Sequence, residues 1–290
     1  MSFAAVRQTT TSAYEREFDF GDEDFVYLAG LARRYAGITI SEQKRDMVYA
    51  RLAKRLRVLG LTSFSAYRQY LDSPNGANEI VETVNALTTN LTRFFRESHH
   101  FDHLAQTTVP EWLERCKAKG SRRLRIWSAG CSTGEEPYSI AMTLCQEIKD
   151  IQRWDVKILA TDIDTHVLAK AKAGLYSVGS ASSIPEEMRR RFVQVKPGGR
   201  DMEMGNDLRA IIAFRHLNLI GPWPMRGQFD AIFCRNVVIY FDRAVQKQLF
   251  NRFADIMPQD GYLYIGHSES LHGVSDRFCL IGQSIHQKVR

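Results

Sequence analysis

The chain of 290 residues has few cysteines, and their spacing predicts neither a disulfide framework nor a zinc site. The five are Cys116, Cys131, Cys145, Cys234 and Cys279. Because the count is odd and no Cys-x-x-Cys pair occurs, we expect no covalent or metal cross-link in the fold. Such cysteine usage is typical of a reducing compartment.

Long hydrophobic runs are absent as well. No stretch of about 18 apolar residues occurs, so we expect no membrane-spanning helix. The first residues, MSFAAVRQTTTSAYERE, lack the apolar core of a secretory signal. We therefore expect a cytoplasmic protein that does not insert into a membrane.

The excess of positive charge is small, with 39 Lys and Arg residues against 33 Asp and Glu residues and a net charge of +6. That total is low for a nucleic-acid-binding domain. Apolar residues make up 44% and charged residues 25%, which are ordinary globular values that exclude disorder as the main state. The length predicts roughly two domains.

The N-terminal third predicts a small all-α domain over residues 18–92. Residues 1–17 are polar and are expected to form a flexible tail. Apolar residues then recur at helical spacing, interrupted by glycines and by a Pro-Asn-Gly turn. The expected helices are one that ends at Gly37, one over 41–60 with Ser41 as its N-cap, one over about 63–71 with Ser63 as its N-cap, and one over about 78–87.

Residues 93–290 predict an α/β domain. Apolar strand-like runs alternate with helical patterns, as in RLRIWSAG followed by GEEPYSIAMTLCQEI and then VKILATDID. Such alternation favours a parallel sheet covered by helices on both faces. The rhythm breaks at about 190–217, where short antiparallel strands around Pro197-Gly198-Gly199 predict a small inserted β-subdomain.

A glycine turn between Gly130 and Gly134 joins a strand to a helix and predicts a ligand site. Its spacing fits neither a dinucleotide fingerprint nor a P-loop. Glu135 and Glu136 at the helix start would repel a pyrophosphate and attract a cation. They therefore favour a ligand with an ammonium or sulfonium group, such as S-adenosylmethionine, over NAD or ATP. An ordinary acidic helix N-terminus is the alternative interpretation.

Two aspartates follow the second strand. Asp162 is placed where a carboxylate can accept hydrogen bonds from ribose hydroxyls. Asp164 is better interpreted as the N-cap of the helix that follows.

The second helix carries six basic and two acidic side chains over residues 41–60. Lys44, Arg51 and Arg55 fall within about 40° of one another on a helical wheel. This face is either a solvated surface of a core helix or a docking surface for an acidic partner. Nucleic acid is a further possible partner, although the helix has no interleaved aromatic residues.

Five blocks together resemble the chemotaxis receptor methyltransferases of the CheR family, over about residues 20–285. The blocks are NALTTNLTRFFRE (85–97), SAGCSTGEEPYS (128–139), ATDID (160–164), FDAIFCRNVVIYFD (229–242) and GHSES (266–270). The resemblance implies a helical domain joined to a Rossmann-like methyltransferase domain with a small inserted antiparallel β-subdomain. It also implies methyl transfer from S-adenosylmethionine to glutamate side chains on the cytoplasmic helices of methyl-accepting chemoreceptors. S-adenosylhomocysteine would be the product, and no metal would be needed.

The resemblance also implies site residues. Cofactor contacts are expected from Asn90, Thr92, Arg96, Glu136, Asp162, Asn218, Leu219, Asn236 and Val237. Arg96 and Tyr240 are the candidate catalytic residues, and Lys44, Arg51 and Arg55 are expected to dock the receptor. The Arg96 guanidinium could pair with the acceptor glutamate or with the cofactor carboxylate. Because glutamate is already ionised at pH 7, no general base is expected.

Three alternative functions fit the sequence less well. A methyltransferase acting on nucleic acid is the main alternative, but a DPPY-like amine-methylating motif is absent. A non-catalytic binding module and a nucleotide-linked oxidoreductase are less consistent with Arg96, Glu135 and Glu136. We expect a monomer without a nucleic acid partner, recruited to receptor arrays. Tethering of the β-subdomain to a receptor's C-terminal peptide stays open.

Overall fold

The computed structural model describes residues 16–290, so the expected tail at 1–17 lies almost wholly outside the described residues. The helices are α1 (Asp22–Ala36), α2 (Arg45–Leu59), α3 (Phe64–Asp72), α4 (Ala77–Leu87), α5 (His99–His103), α6 (Val109–Lys119), α7 (Glu135–Glu147), α8 (Thr165–Ala173), α9 (Glu186–Phe192), α10 (Asn206–Ile211) and α11 (Arg243–Asp255). The strands are β1 (Arg123–Ala129), β2 (Asp155–Asp162), β3 (Leu175–Ser177), β4 (Val193–Val195), β5 (Asp201–Met204), β6 (Ile212–His216), β7 (Ala231–Cys234), β8 (Tyr262–Ile265), β9 (Phe278–Gly282) and β10 (Ile285–Lys288).

Helices α1–α4 form the expected helical domain around one apolar core that includes Leu28, Leu52 and Phe64. Gly37 ends α1 in a left-handed conformation, as its position predicted. The Ser63 hydroxyl accepts a hydrogen bond from the Ala66 N–H at 3.1 Å, which confirms the N-cap of α3. Ser41 makes no such bond; it precedes a short 3₁₀ turn, Glu42–Lys44, and α2 begins only at Arg45.

Within residues 16–290 the second domain has a seven-stranded sheet in the order β6-β2-β1-β7-β8-β10-β9. The first five strands run parallel, whereas β10 is antiparallel to both β8 and β9. The order turns in opposite directions on the two sides of β1, so a crevice opens at the carboxyl ends of β1, β2 and β7. This architecture confirms the α/β class with a preceding all-α domain.

A separate three-stranded antiparallel sheet, in the order β3-β5-β4, confirms a small β-subdomain. Its position differs from the predicted 190–217. The sheet begins earlier, at β3, and the predicted range ends with β6, which pairs in parallel with β2 in the main sheet. The sequence pattern did not reveal this because α10, the helix that returns the chain to the main sheet, has only six residues.

In the described part of the chain, no helix combines the length and the apolar character needed to cross a bilayer.

Candidate active site

A cavity lies at the crevice where β1, β2 and β7 end, and the linker between the two domains closes one side of it. It contains about 810 Å³ of space not filled by atoms, part of it open to solvent. Eight of the predicted site residues line it: Asn90, Thr92, Arg96, Glu136, Asp162, Asn236, Val237 and Tyr240. The structure therefore brings together residues that are up to 150 positions apart in the chain.

Asn218 and Leu219 do not line this cavity. The Asn218 amide donates to the Tyr35 carbonyl, and Leu219 is buried in an apolar cluster on one side of the sheet. Both residues follow β6, the edge strand, so the chain there turns toward the helical domain rather than toward the crevice. Their contact with the cofactor stays a prediction.

The glycine turn packs tightly against the end of β7. Gly130 has φ +90°, and a Cβ added there would lie 2.4 Å from Cγ2 of Val237. The N–H groups of Gly130 and Cys131 both donate to the Thr161 carbonyl at 2.8 Å, which ties the turn to the end of β2. Gly130 thus permits a close approach of three strand ends that a side chain would prevent.

Asp162 is buried between the turn and β2. Its carboxylate accepts hydrogen bonds from the N–H of Ser132 at 2.7 Å and from the N–H of Asp164 at 2.9 Å. Burial, with a smaller contribution from the Asp164 charge, raises the pKa of Asp162 to about 6. A carboxylate has about four acceptor positions, so about two remain for hydroxyl donors.

Asp164 joins the two domains. One of its oxygens accepts from the N–H groups of His166 at 2.9 Å and Val167 at 3.3 Å, which confirms the predicted N-cap of α8. The other oxygen accepts from the Thr88 hydroxyl and from the Asn90 amide, both at 2.7 Å. Asn90 is therefore held at the cavity wall by a contact that spans 74 positions.

A buried network of charges underlies the cavity. The Arg235 guanidinium lies 3.1 Å from a Glu136 oxygen and 3.3 Å from a Glu97 oxygen, and it also donates to the Arg96 carbonyl. The Ser128 hydroxyl donates to Glu136 at 2.7 Å. Burial raises the pKa of Glu136, although Arg235 opposes that shift. The Arg235 charge thus offsets part of the cost of burying the Glu136 carboxylate.

Of the two carboxylates expected to face a cation, Glu136 lines the cavity and Glu135 does not. Its side chain accepts from the Thr133 hydroxyl at 2.6 Å and is not part of the cavity lining. Arg235 is not among the site residues predicted from the sequence. One signal was present, because Arg235 directly follows the wholly buried strand β7, where a surface arginine is not expected.

Arg96 and Tyr240 lie where the domains meet. One Arg96 nitrogen donates to the Leu91 carbonyl at 2.8 Å, which leaves other N–H donors of the guanidinium for a ligand. The Tyr240 carbonyl accepts from the Thr39 N–H at 2.8 Å. The Lys44 ammonium lies 5.6 Å from the centre of the Tyr240 ring.

The basic face of α2 is not the free docking surface that the sequence predicted. Arg51 donates to the carbonyls of Leu87 at 3.1 Å and Thr88 at 2.5 Å, where it stabilises the end of α4. Arg55 forms a two-bond ion pair with the buried Glu79 carboxylate, at 2.9 and 2.6 Å. Both arginines are half-buried and satisfied within the helical domain, and of the three residues only Lys44 is exposed.

The polar groups around the cavity form a mixed set. Asp162 offers free acceptor positions, Glu136 is a second carboxylate, and Arg96 offers donors. The set suits a ligand with hydroxyl, ammonium and carboxylate groups, all of which S-adenosylmethionine has. Residues 16–290 contain no cluster of three or more His, Cys, Asp or Glu side chains that could hold a metal ion.

The sequence matches two family models. The all-alpha domain of CheR methyltransferases matches residues 23–88, and the SAM-binding domain of CheR methyltransferases matches residues 90–286. A probable chemotaxis protein methyltransferase of Rhizobium etli is 46% identical, covering 82% of this chain and 89% of that protein. Chemotaxis protein methyltransferase 2 of Pseudomonas aeruginosa is 41% identical, covering 93% of this chain and 95% of that protein. The chemotaxis protein methyltransferase of Escherichia coli is 42% identical, covering 91% of this chain and 90% of that protein.

Proposed function

Because this chain belongs to the CheR methyltransferase family, we propose that its methyl acceptors are glutamate side chains of chemoreceptors. The chain is an S-adenosylmethionine-dependent methyltransferase of chemotaxis. The observation that best supports the proposal is the cavity at the ends of β1, β2 and β7, which the linker of the helical domain covers. A carboxylate acceptor also fits a site that presents an arginine and, among the described lining residues, no histidine or lysine to act as a base.

The cavity residues have distinct proposed roles toward the cofactor. Asp162 accepts hydrogen bonds from the ribose hydroxyls, and Glu136 lies near the ammonium group. Arg96 binds a carboxylate, either that of the cofactor or that of the acceptor. Asn90, Thr92, Asn236 and Val237 complete the walls.

When bound, S-adenosylmethionine supplies a methyl group on a sulfonium centre. The acceptor glutamate is ionised at neutral pH, so the chain does not have to remove a proton. Its residues instead hold the acceptor in line and exclude water, which strengthens the attraction of opposite charges. In this proposal Tyr240 orients the acceptor; in support, its side chain lines the cavity beside the exposed Lys44.

We propose that the acceptor segment approaches over Lys44 and Arg93. Arg93 is exposed and lines the cavity. Within residues 16–290 neither cation is paired with a carboxylate of the chain, whereas Arg55 is. An acidic receptor helix therefore meets unneutralised positive charge next to the cavity, and the attraction should weaken as salt rises.

Label transfer tests the proposed acceptor. The full chain is incubated with methyl-tritiated S-adenosylmethionine and receptor-rich membranes, and the product is treated with mild alkali. Release of the label as methanol supports a glutamate methyl ester. Membranes without chemoreceptors are the control. Label that resists alkali, or that enters added RNA or DNA, would contradict the acceptor while leaving the methyltransferase assignment intact.

Binding of S-adenosylhomocysteine should weaken as the pH falls through about 6, because protonated Asp162 loses acceptor positions. The pKa of Asp162 is raised above its ordinary value of 3.8, so this group favours the folded state more at low pH than at neutral pH. Titration of Asp162 therefore does not itself unfold the protein at pH 5. Calorimetry from pH 5 to 8 measures the effect. Asp162→Asn should bind weakly and without this pH dependence; a pH dependence as steep as that of the wild type would contradict the role.

A further inference from the structure

A second turn, Gly266–Ser270, lies behind the cavity wall and contacts the loop that follows β7. It follows β8, and its Glu269 is buried with 9% of its surface exposed. The Glu269 carboxylate accepts four backbone hydrogen bonds, from the N–H groups of Gly266 at 2.6 Å, Val238 at 2.8 Å, Asn236 at 3.0 Å and Ile239 at 3.3 Å. One side chain therefore joins the loop after β7 to the loop after β8.

The loop after β7 needs such support. Asn236 has φ +59°, a left-handed conformation that asparagine adopts more readily than most side chains but less readily than glycine. A Cβ added to Gly266 would lie 2.8 Å from the backbone nitrogen of Asn236, so the two loops are in direct contact. A residue in this conformation persists only when its surroundings hold it there.

The loop held in this way forms part of the cavity wall. Asn236 and Val237 both line the cavity, and Val237 also lies against Gly130 of the glycine turn. Glu269 itself is not a lining residue. Its effect on a ligand must therefore pass through the backbone that it holds.

We propose that Glu269 is a positioning residue that sets the affinity for S-adenosylmethionine by fixing Asn236 and Val237. The inference rests on the proposed assignment of the cavity as the cofactor site. A carboxylate is required because all four partners are donors, and a carboxylate offers only acceptors. Glutamine, which has the same shape, turns an amide NH₂ group toward two of those N–H groups and loses both bonds.

The test uses full-length Glu269→Gln and S-adenosylhomocysteine as the probe, with calorimetry as the readout. We expect the dissociation constant to rise about tenfold or more, since two hydrogen bonds to a charged group are lost and the wall residues move. Circular dichroism verifies that the variant is folded at the assay temperature.

Glu79→Gln is the matched control. Glu79 is also a buried carboxylate, but it pairs with Arg55 and Tyr67 in the core of the helical domain. This control should lower thermal stability and leave the dissociation constant unchanged. If Glu269→Gln behaves in the same way, with lower stability and wild-type affinity, the positioning role is wrong.

Two further variants keep the outcomes distinct. Glu269→Asp retains the charge but is one methylene shorter, so it should fold and bind with intermediate affinity; it decides the question if the glutamine variant does not fold. Wild-type affinity in Glu269→Asp would overturn the proposal. Asp162→Asn tests the cavity assignment itself. If that variant binds like the wild type, the assignment fails, whatever Glu269 does.

Discussion

Replacing Arg235 by methionine should lower the free energy of unfolding by about 3–5 kcal/mol and abolish measurable binding of S-adenosylhomocysteine. Methionine retains much of the length of the side chain but removes the charge that pairs with both Glu136 and Glu97. The buried Glu136 and the partly buried Glu97 would then lose the guanidinium that pairs with both of them. The hydrogen bond to the Arg96 carbonyl, which holds the linker at the cavity, would be lost as well.

Urea denaturation followed by circular dichroism measures the loss of stability. The matched control is Arg190→Met, since Arg190 is 78% exposed and pairs with the exposed Glu186, so its replacement should change stability little. Adding Glu136→Gln to Arg235→Met should restore part of the lost stability, because one uncompensated charge disappears. Equal effects of the Arg235 and Arg190 replacements would show that the network contributes no net stability.

Gly130→Ala should weaken binding of S-adenosylhomocysteine by more than tenfold and destabilise the fold by more than the roughly 1–2 kcal/mol of a left-handed alanine. The added Cβ would lie 2.4 Å from Cγ2 of Val237, and a β-branched side chain has little freedom to rotate away. The ends of β1 and β7 must then separate, which displaces two walls of the cavity.

Two variants separate the collision from the backbone strain. Gly60→Ala, with φ +67° and no atom within 4 Å of the added Cβ, should show the strain alone and bind normally. Gly130→Ala combined with Val237→Ala should recover much of the binding, because the nearest remaining atom of residue 237 is Cβ at 3.6 Å. Val237→Ala alone provides the reference affinity. Without recovery in the double variant, the collision is not the cause.

Local patterns in the sequence predicted most of the elements. The end of α1 at Gly37, the N-cap of α3 at Ser63 and the N-cap of α8 at Asp164 all follow from residues next to the element concerned. The glycine turn after β1 was equally visible, since its signal lies within ten residues. Such features depend on neighbours in the chain, and one sequence is sufficient to show them.

Long-range pairing could not be predicted in this way. Arg51 and Arg55 look like a surface stripe until α4 is placed beside α2 and supplies their partners. The roles of Arg235 and Glu269 depend on contacts that span 99 and 33 positions. The place of β6 at the edge of the main sheet likewise depends on its pairing with β2, a strand far earlier in the chain. Helical or strand periodicity carries no signal for contacts of this kind.

The linker at 88–96 is both the connection between the two domains and a wall of the cavity. The covalent connection between the two domains therefore forms part of the proposed cofactor site instead of lying beside it. These two domains are consequently not interchangeable modules. Exchanging the helical domain to obtain a new acceptor would also exchange the segment that Asp164, Arg51 and Arg235 hold in place. A new acceptor preference and a retained cofactor affinity must then evolve together, through compensating changes on both sides of the connection.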